Sequence, residues 1–159
     1  MLLLDSLDPN IRNAVRAVII RDSRILLIRK EYEDGSQRFA LPGGAQDPGE
    51  TLTTALDREC REEIGTDVRI LSLLHVADWF KPRDTVPPST RHLVEFLFAC
   101  DVEESYTPKN GYHPDKHQVE VVWAELAGLE GKVLQPAALA GVIGRIRAGE
   151  RGGYLGPIS

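Results

Sequence analysis

The segment that most constrains this chain is 43–65, which reads GGAQDPGETLTTALDRECREEIG. It places a pair of glycines before a stretch with helical periodicity. Thr51 is suited to cap the N-terminus of a helix, and Gly65 is suited to end it in the left-handed conformation. Apolar residues recur at steps of three and four, which predicts a helix over 51–64 with one buried stripe. The stripe consists of Leu52, Ala55, Leu56, Cys60 and Ile64.

Three glutamates lie on this helix: Glu59, Glu62 and Glu63. At about 100° per residue, Glu59 and Glu63 fall within about 20° of Leu52, and the third lies at the margin of the apolar arc. A solvated acidic face would lie opposite the leucines, and these three glutamates do not lie there. Neighbouring like charges repel, and burial of carboxylates costs far more unless something positive compensates. Arg58 offsets part of the charge. A hard divalent cation would offset the rest, and oxygen ligands suit Mg²⁺ or Mn²⁺ better than zinc.

The glycines supply the second half of the pattern. Gly43 and Gly44 follow a short predicted strand, and Pro48-Gly49 bends the chain into the helix. Taken alone, two glycines after a strand also fit a plain tight turn. Glycine lets the backbone approach a ligand closely, and a backbone carbonyl could complete an oxygen coordination shell. Together with the inward carboxylates, this turn favours a site for a metal ion and phosphate groups.

The segment resembles the signature of the Nudix hydrolase superfamily, the MutT-like proteins. The resemblance covers about 44–66, close to a seventh of the chain. Cys60 is a small member of the hydrophobic class, and Thr66 stands where a larger apolar residue is usual; neither affects the carboxylates. The matching fixed positions are Gly44, Glu50, Arg58, Glu59, Glu62, Glu63 and Gly65.

The resemblance implies an α/β fold, a Nudix-type α/β/α sandwich with a mixed β-sheet, and we expect one domain over 1–159. The order of elements in the sequence agrees with it. The segment 78–90, rich in proline and polar residues, is predicted to be a loop. Strands are predicted at 13–21, 24–29, 38–42, 68–77, 93–100 and 119–124, with a turn at Asp22-Ser23 and a second helix from about 136 to 147.

The resemblance also implies a Mg²⁺-dependent hydrolase that cleaves a diphosphate linkage in a nucleoside diphosphate joined to another group. The substrate would be a nucleotide sugar, an ADP-ribose-like compound or a nucleoside triphosphate. Glu59, Glu62 and Glu63 would ligate Mg²⁺ (or Mn²⁺), with the Gly43 carbonyl as a further ligand. Arg58 and Glu50 would orient those carboxylates. The alternative is a non-catalytic Nudix domain that acts as a ligand sensor or binds a partner; such members usually lose one or more of these carboxylates.

Substrate contacts are harder to read from the sequence. Many family members use an additional glutamate near the last strand as base, and Glu120 or His117 could serve here. Arg21, Lys30, Lys81 and Arg83 are further cations that could contact phosphates. Phe80 and two other aromatic residues could stack on a base. The candidates for substrate binding are Arg29, Phe39, Trp79, Arg91 and Glu120.

Composition narrows the class of partner. The chain has 24 acidic and 19 basic residues, a net charge of −5, which argues against a protein that binds the nucleic-acid backbone. An RNA-decapping enzyme therefore fits less well than an enzyme for a small nucleotide.

No apolar run approaches the ~18 residues needed to cross a bilayer. Cys60 and Cys100 lack the spacing of a disulfide framework or a zinc site, so we expect a cytoplasmic protein. Homodimers are frequent in the family, but the sequence shows no interface.

Overall fold

The computed structural model describes residues 6–159, which form nine strands and two α-helices. A 3₁₀ helix over Leu126–Gly131 connects the last long strand to the second helix. The strands are β1 Leu7–Val18, β2 Ile20–Arg21, β3 Arg24–Glu31, β4 Gln37–Ala40, β5 Gly43–Ala45, β6 Arg69–Arg83, β7 Ser89–Asp101, β8 Gln118–Glu125 and β9 Tyr154–Ile158, and the helices are α1 Leu52–Ile64 and α2 Leu139–Arg147.

Two sheets form the centre of the fold. The larger is mixed, in the order β5-β1-β7-β6-β9, with β1 parallel to β7 and β6 parallel to β9. The smaller contains β2, β3 and β4, with β8 paired to the other side of β3. The turn at Asp22 and Ser23 is confirmed: both residues have positive φ, as a tight hairpin requires, and Arg21 pairs with Arg24.

Each helix packs against a core of its own. Val15 and Ala17 of β1 and Ile19, which follows it, belong to the core under α1, whereas Val18 belongs to the core beneath α2. This alternation follows from the two-residue period of a strand, and it makes both faces of the strand apolar. The expected α/β/α sandwich with a mixed sheet is therefore confirmed. Cys60 and Cys100 are buried free cysteines in the core under α1.

The helix that carries the glutamates has the predicted ends. The Thr51 hydroxyl accepts a hydrogen bond from the Thr54 amide at 3.1 Å, and Gly65 has φ 70°. The buried residues of α1 include Glu63 beside the apolar stripe. The helix thus presents a carboxylate to the protein interior, as its periodicity predicts.

The predicted loop over 78–90 was wrong. Strand β6 continues to Arg83 and β7 begins at Ser89, so only a short turn separates them. Pro82 suggested a loop, but it lies beyond the last pairing of β6 with β9, where one edge of the strand is open and proline is tolerated. The sequence also missed β9 and the first part of β1. Among residues 6–159, no helix is long and apolar enough to cross a membrane.

Candidate active site

A cleft of about 260 Å³ lies where β5, the end of α1 and the exposed part of the large sheet meet. Its lining is strongly charged. Six cations and three carboxylates contribute to it, although the whole chain carries a net negative charge. A cleft with a local excess of positive charge concentrates anions, so its chemistry suits phosphate groups. The carboxylates are Glu59, Glu63 and Asp115.

Glu63 is held at the inner end of this cleft and is 3% exposed. Its Oε1 accepts a hydrogen bond from the Gly43 amide at 2.8 Å. Burial, followed by repulsion from Asp115, raises the pKa of Glu63 to about 8. A carboxyl group this costly to ionise needs a positive partner before it carries charge at neutral pH.

Glu59 reaches the cleft past the second glycine. A Cβ added at Gly44 would lie 2.6 Å from Glu59 Oε1, so the absence of a side chain there creates the space that the carboxylate occupies. Burial raises the pKa of Glu59, and the neighbouring Arg58 acts in the opposite direction. Gly44 thus leaves room for Glu59 and the Gly43 amide holds Glu63, so both glutamates of α1 meet β5 at the cleft.

Arg58 ties the acidic residues together. Its Nε and Nη2 bond the two oxygens of Glu50 at 2.7 and 2.8 Å. Its Nη1 contacts Glu59 at 3.1 Å and Glu62 at 3.3 Å, while Nη2 also donates to the Ala45 carbonyl. The hydrogen bonds from Arg58 lower the pKa of Glu50 to about 2. One guanidinium therefore fixes the position of three carboxylates.

The oxygen atoms offered here are of the type that binds a hard divalent cation. Glu63 offers a buried carboxylate, Glu59 a partly buried one and Gly43 a carbonyl, all ligands that Mg²⁺ or Mn²⁺ prefers. In this structure Arg58 engages Glu59 and Glu62, and Arg16 donates to the Gly43 carbonyl at 3.0 Å. Within the described residues, no three acidic, histidine or cysteine side chains come close enough together to hold a metal ion. Two of the three predicted carboxylates line the cleft, and Glu62 does not.

The chain matches the model of the NUDIX domain over residues 10–141. It belongs to the NUDIX domain family. The match covers most of the chain and includes the two glycines, which form part of β5 rather than a turn, and the whole of α1. Nudix hydrolases generally use divalent metal ions, in agreement with the oxygen donors of the cleft.

Several proteins are similar to this NUDIX domain. An ADP-ribose pyrophosphatase of Methanocaldococcus jannaschii is 37% identical over 89 residues, 56% of this chain and 50% of that protein. The ADP compounds hydrolase NudE of Escherichia coli is 40% identical over 68 residues, 42% of this chain and 36% of that protein. The matches thus span half or less of these relatives' lengths. A NUDIX hydrolase of Nitrosomonas europaea has the same fold, with a TM-score of 0.72 and 24% identity, covering 89% of this chain and 92% of that one.

The structure separates the five predicted substrate contacts into two groups. Trp79 and Arg91 line the cleft of this NUDIX domain. Arg29 and Glu120 do not: they pair with each other across β3 and β8 at 2.8 Å. Phe39 is 8% exposed and packs in the core under α2. Of the possible bases, Glu120 is thus tied to Arg29, and His117 stacks on Tyr32 at 4.4 Å.

Several charged residues of the cleft were missed in the sequence. Arg16 is hydrogen-bonded to the buried Glu95 at 3.0 Å and to the Gly43 carbonyl. Asp115 pairs with Lys30 at 2.7 Å. Arg12 lies four residues before Arg16 on β1, and the two-residue period of a strand puts both side chains on the same face. This spacing of the two arginines was the signal available in the sequence.

Proposed function

We propose that this chain is a divalent-metal-dependent hydrolase that cleaves a diphosphate linkage in a nucleoside diphosphate compound, with ADP-ribose-like compounds as the first candidates. One observation carries the proposal: Glu59 and Glu63 open into the same cleft as six cations. Carboxylates suit a metal ion and cations suit the phosphates that the ion would contact. The names of two similar proteins, an ADP-ribose pyrophosphatase and an ADP compounds hydrolase, support the choice of substrate.

The predicted ligand set is Glu59, Glu62, Glu63 and the Gly43 carbonyl, with Mg²⁺ as the favoured ion. When bound, such an ion neutralises charge on the phosphates and makes water a better nucleophile. Arg58 and Glu50 keep the carboxylates in position, because their hydrogen bonds restrict the side-chain rotamers from which the ligands must act.

Cations of the cleft would bind the diphosphate itself. The Lys81 ammonium has no carboxylate within 4 Å among residues 6–159, and burial together with Lys30 lowers its pKa to about 8. It lies over the Trp79 ring, 5.3 Å from the centroid, and the ring holds it in the cleft. Because Lys81 covers Trp79, we assign this tryptophan to positioning Lys81 rather than to stacking on a base.

The test is a substrate panel with the purified chain. We expect release of a nucleoside monophosphate from ADP-ribose, a nucleotide sugar or a nucleoside triphosphate in the presence of Mg²⁺, and none with excess EDTA. Products are separated by ion-exchange chromatography. Binding of these compounds without hydrolysis, with both Mg²⁺ and Mn²⁺, would instead favour the ligand-sensor alternative. A cytoplasmic location and a homodimer stay predictions of the sequence.

Arg58→Lys tests the positioning role of the guanidinium. A lysine keeps the charge but cannot reach Glu50, Glu59 and Glu62 at once, so we expect kcat/KM to fall by about 10–100-fold. The apparent affinity for Mg²⁺, measured from the metal dependence of the rate, should weaken in parallel. Arg61→Lys is the matched control, because Arg61 lies on the same helix, is half-exposed and pairs with Asp57 and Asp67 away from the cleft. Equal losses in both variants would assign Arg58 a purely structural role.

A further inference from the structure

Three arginines gather at the end of the cleft that lies away from the glutamates. Arg12 is on β1, Arg91 on β7 and Arg83 on β6, and all three are partly buried and line the cleft. The strand pairings bring them together, since Arg12 lies opposite Leu93 and Arg91 lies two residues before that position. We refer to Arg12, Arg83 and Arg91 as the arginine triad.

The triad is poorly neutralised. Asp8 is the nearest carboxylate among the described residues, and it stands 4.0 Å from both Arg83 and Arg91. Arg12 has no ion pair within residues 6–159, and the buried Nε of Arg91 has no hydrogen-bond partner there. Burial, followed by repulsion from Arg83 and Arg12, lowers the pKa of Arg91. Three guanidinium groups that repel one another are stabilised by an anion, and one with several acceptor oxygens can accept hydrogen bonds from all three.

The triad is attached to the strands several positions away from the glutamate end of the cleft. Gly44, beside Glu59, is level with Val15 of β1, which pairs with Phe96 of β7. Arg12, which is level with Leu93, and Arg91 come three and five positions before this level, so their α-carbons lie about 10–17 Å away along the strands. The floor between the two ends is formed by Trp79 and Leu93, which pair with each other and are each 7% exposed. The Lys81 ammonium lies over the Trp79 ring and interacts with Lys30 and Arg16 on the diphosphate side, so Leu93 is the apolar surface next to the triad. A sugar or nucleoside fits this interval better than another phosphate of one anhydride chain.

We infer that the arginine triad binds a phosphomonoester on the substrate, separated from the cleaved diphosphate by a sugar. The inference rests on the proposed function and narrows it to nucleoside diphosphate compounds that carry an extra phosphate on a ribose. A phosphomonoester presents three oxygens and up to two negative charges, which three guanidinium groups match in number and geometry. A neutral sugar at the same place would leave the three cations without a counter-charge.

The kinetic test compares two substrates that differ by one phosphate, ADP-ribose and ADP-ribose 2′-phosphate. The wild-type chain should prefer the phosphorylated compound by about tenfold or more in kcat/KM, mainly through KM. Arg91→Gln and the double variant Arg83→Gln/Arg91→Gln should reduce this preference stepwise. Arg69→Gln is the control, because Arg69 is an exposed arginine of β6 that pairs with Asp101 outside the cleft. It should keep the full preference.

A binding measurement separates this inference from the proposed function. Titration calorimetry should show that adenosine 2′,5′- or 3′,5′-bisphosphate binds at least about tenfold more tightly than AMP, and that Arg91→Gln removes the difference. Circular dichroism confirms that each variant is folded. Equal affinity for the bisphosphates and AMP, or a preference unchanged in the double variant, overturns the role of the triad. A retained binding preference without hydrolysis of any substrate would overturn the enzymatic proposal alone.

Discussion

Replacing Glu63 by Gln is expected to reduce hydrolysis by about 10³-fold or more while the chain stays folded. Glu63 combines burial with a position at the inner end of the cleft, and it is a predicted metal ligand. An amide oxygen cannot supply the negative charge that a divalent ion needs. The fold should tolerate the change, because burial raises the pKa of Glu63 to about 8 and a neutral Gln of the same size can still accept the Gly43 hydrogen bond.

Two measurements check this prediction. Turnover of the best substrate of the panel gives the loss of activity. Thermal unfolding with and without Mg²⁺ reports on the metal: the ion should raise the melting temperature of the wild-type chain and have a much smaller effect on Glu63→Gln. Glu130→Gln, at an exposed position of the 3₁₀ helix, should behave like wild type in both assays. Turnover within tenfold of wild type in Glu63→Gln would remove Glu63 from the catalytic site.

The glutamates could be predicted from the sequence because helical geometry is local. Once 51–64 is helical, the direction of Glu59 and Glu63 relative to Leu52 follows from the period alone. The same local reasoning also gave both ends of α1, where Thr51 caps the first turn. The family resemblance rests on this single continuous segment, and so it was visible without knowledge of the sheets.

The cationic side of the cleft depends on pairings between distant segments. Arg12 and Arg91 become neighbours only because β1 runs parallel to β7, a contact over about half the chain. Phe39 shows the complementary limit. The two-residue period puts Phe39 and Ala40 on opposite faces, but the sequence does not say which face is core; the structure places Phe39 in the core and Ala40 on the cleft.

The two glycines of β5 should respond differently to alanine. Gly43 has φ +141°, and a Cβ there would lie 1.9 Å from the Val15 carbonyl oxygen in the neighbouring strand. Neither the strained backbone nor the clash can relax without separating β5 from β1, so Gly43→Ala should lower the free energy of unfolding by about 3 kcal/mol or more. Denaturant unfolding measures this loss, and we expect poor recovery of folded protein.

Gly44→Ala should instead impair the site and spare the fold. The added Cβ would meet Glu59 Oε1 at 2.6 Å, and a flexible carboxylate can swing aside where a backbone carbonyl cannot. We therefore expect a change in unfolding free energy under about 1 kcal/mol together with at least about a tenfold loss of kcat/KM. Gly43→Ala and Gly44→Ala add the same methyl group at neighbouring positions, so each variant is a control for the other and a difference between them comes from the surroundings of each glycine. Full activity in folded Gly44→Ala would mean that Glu59 is not needed beside Gly44, and the room that Gly44 leaves for it would then have no catalytic role.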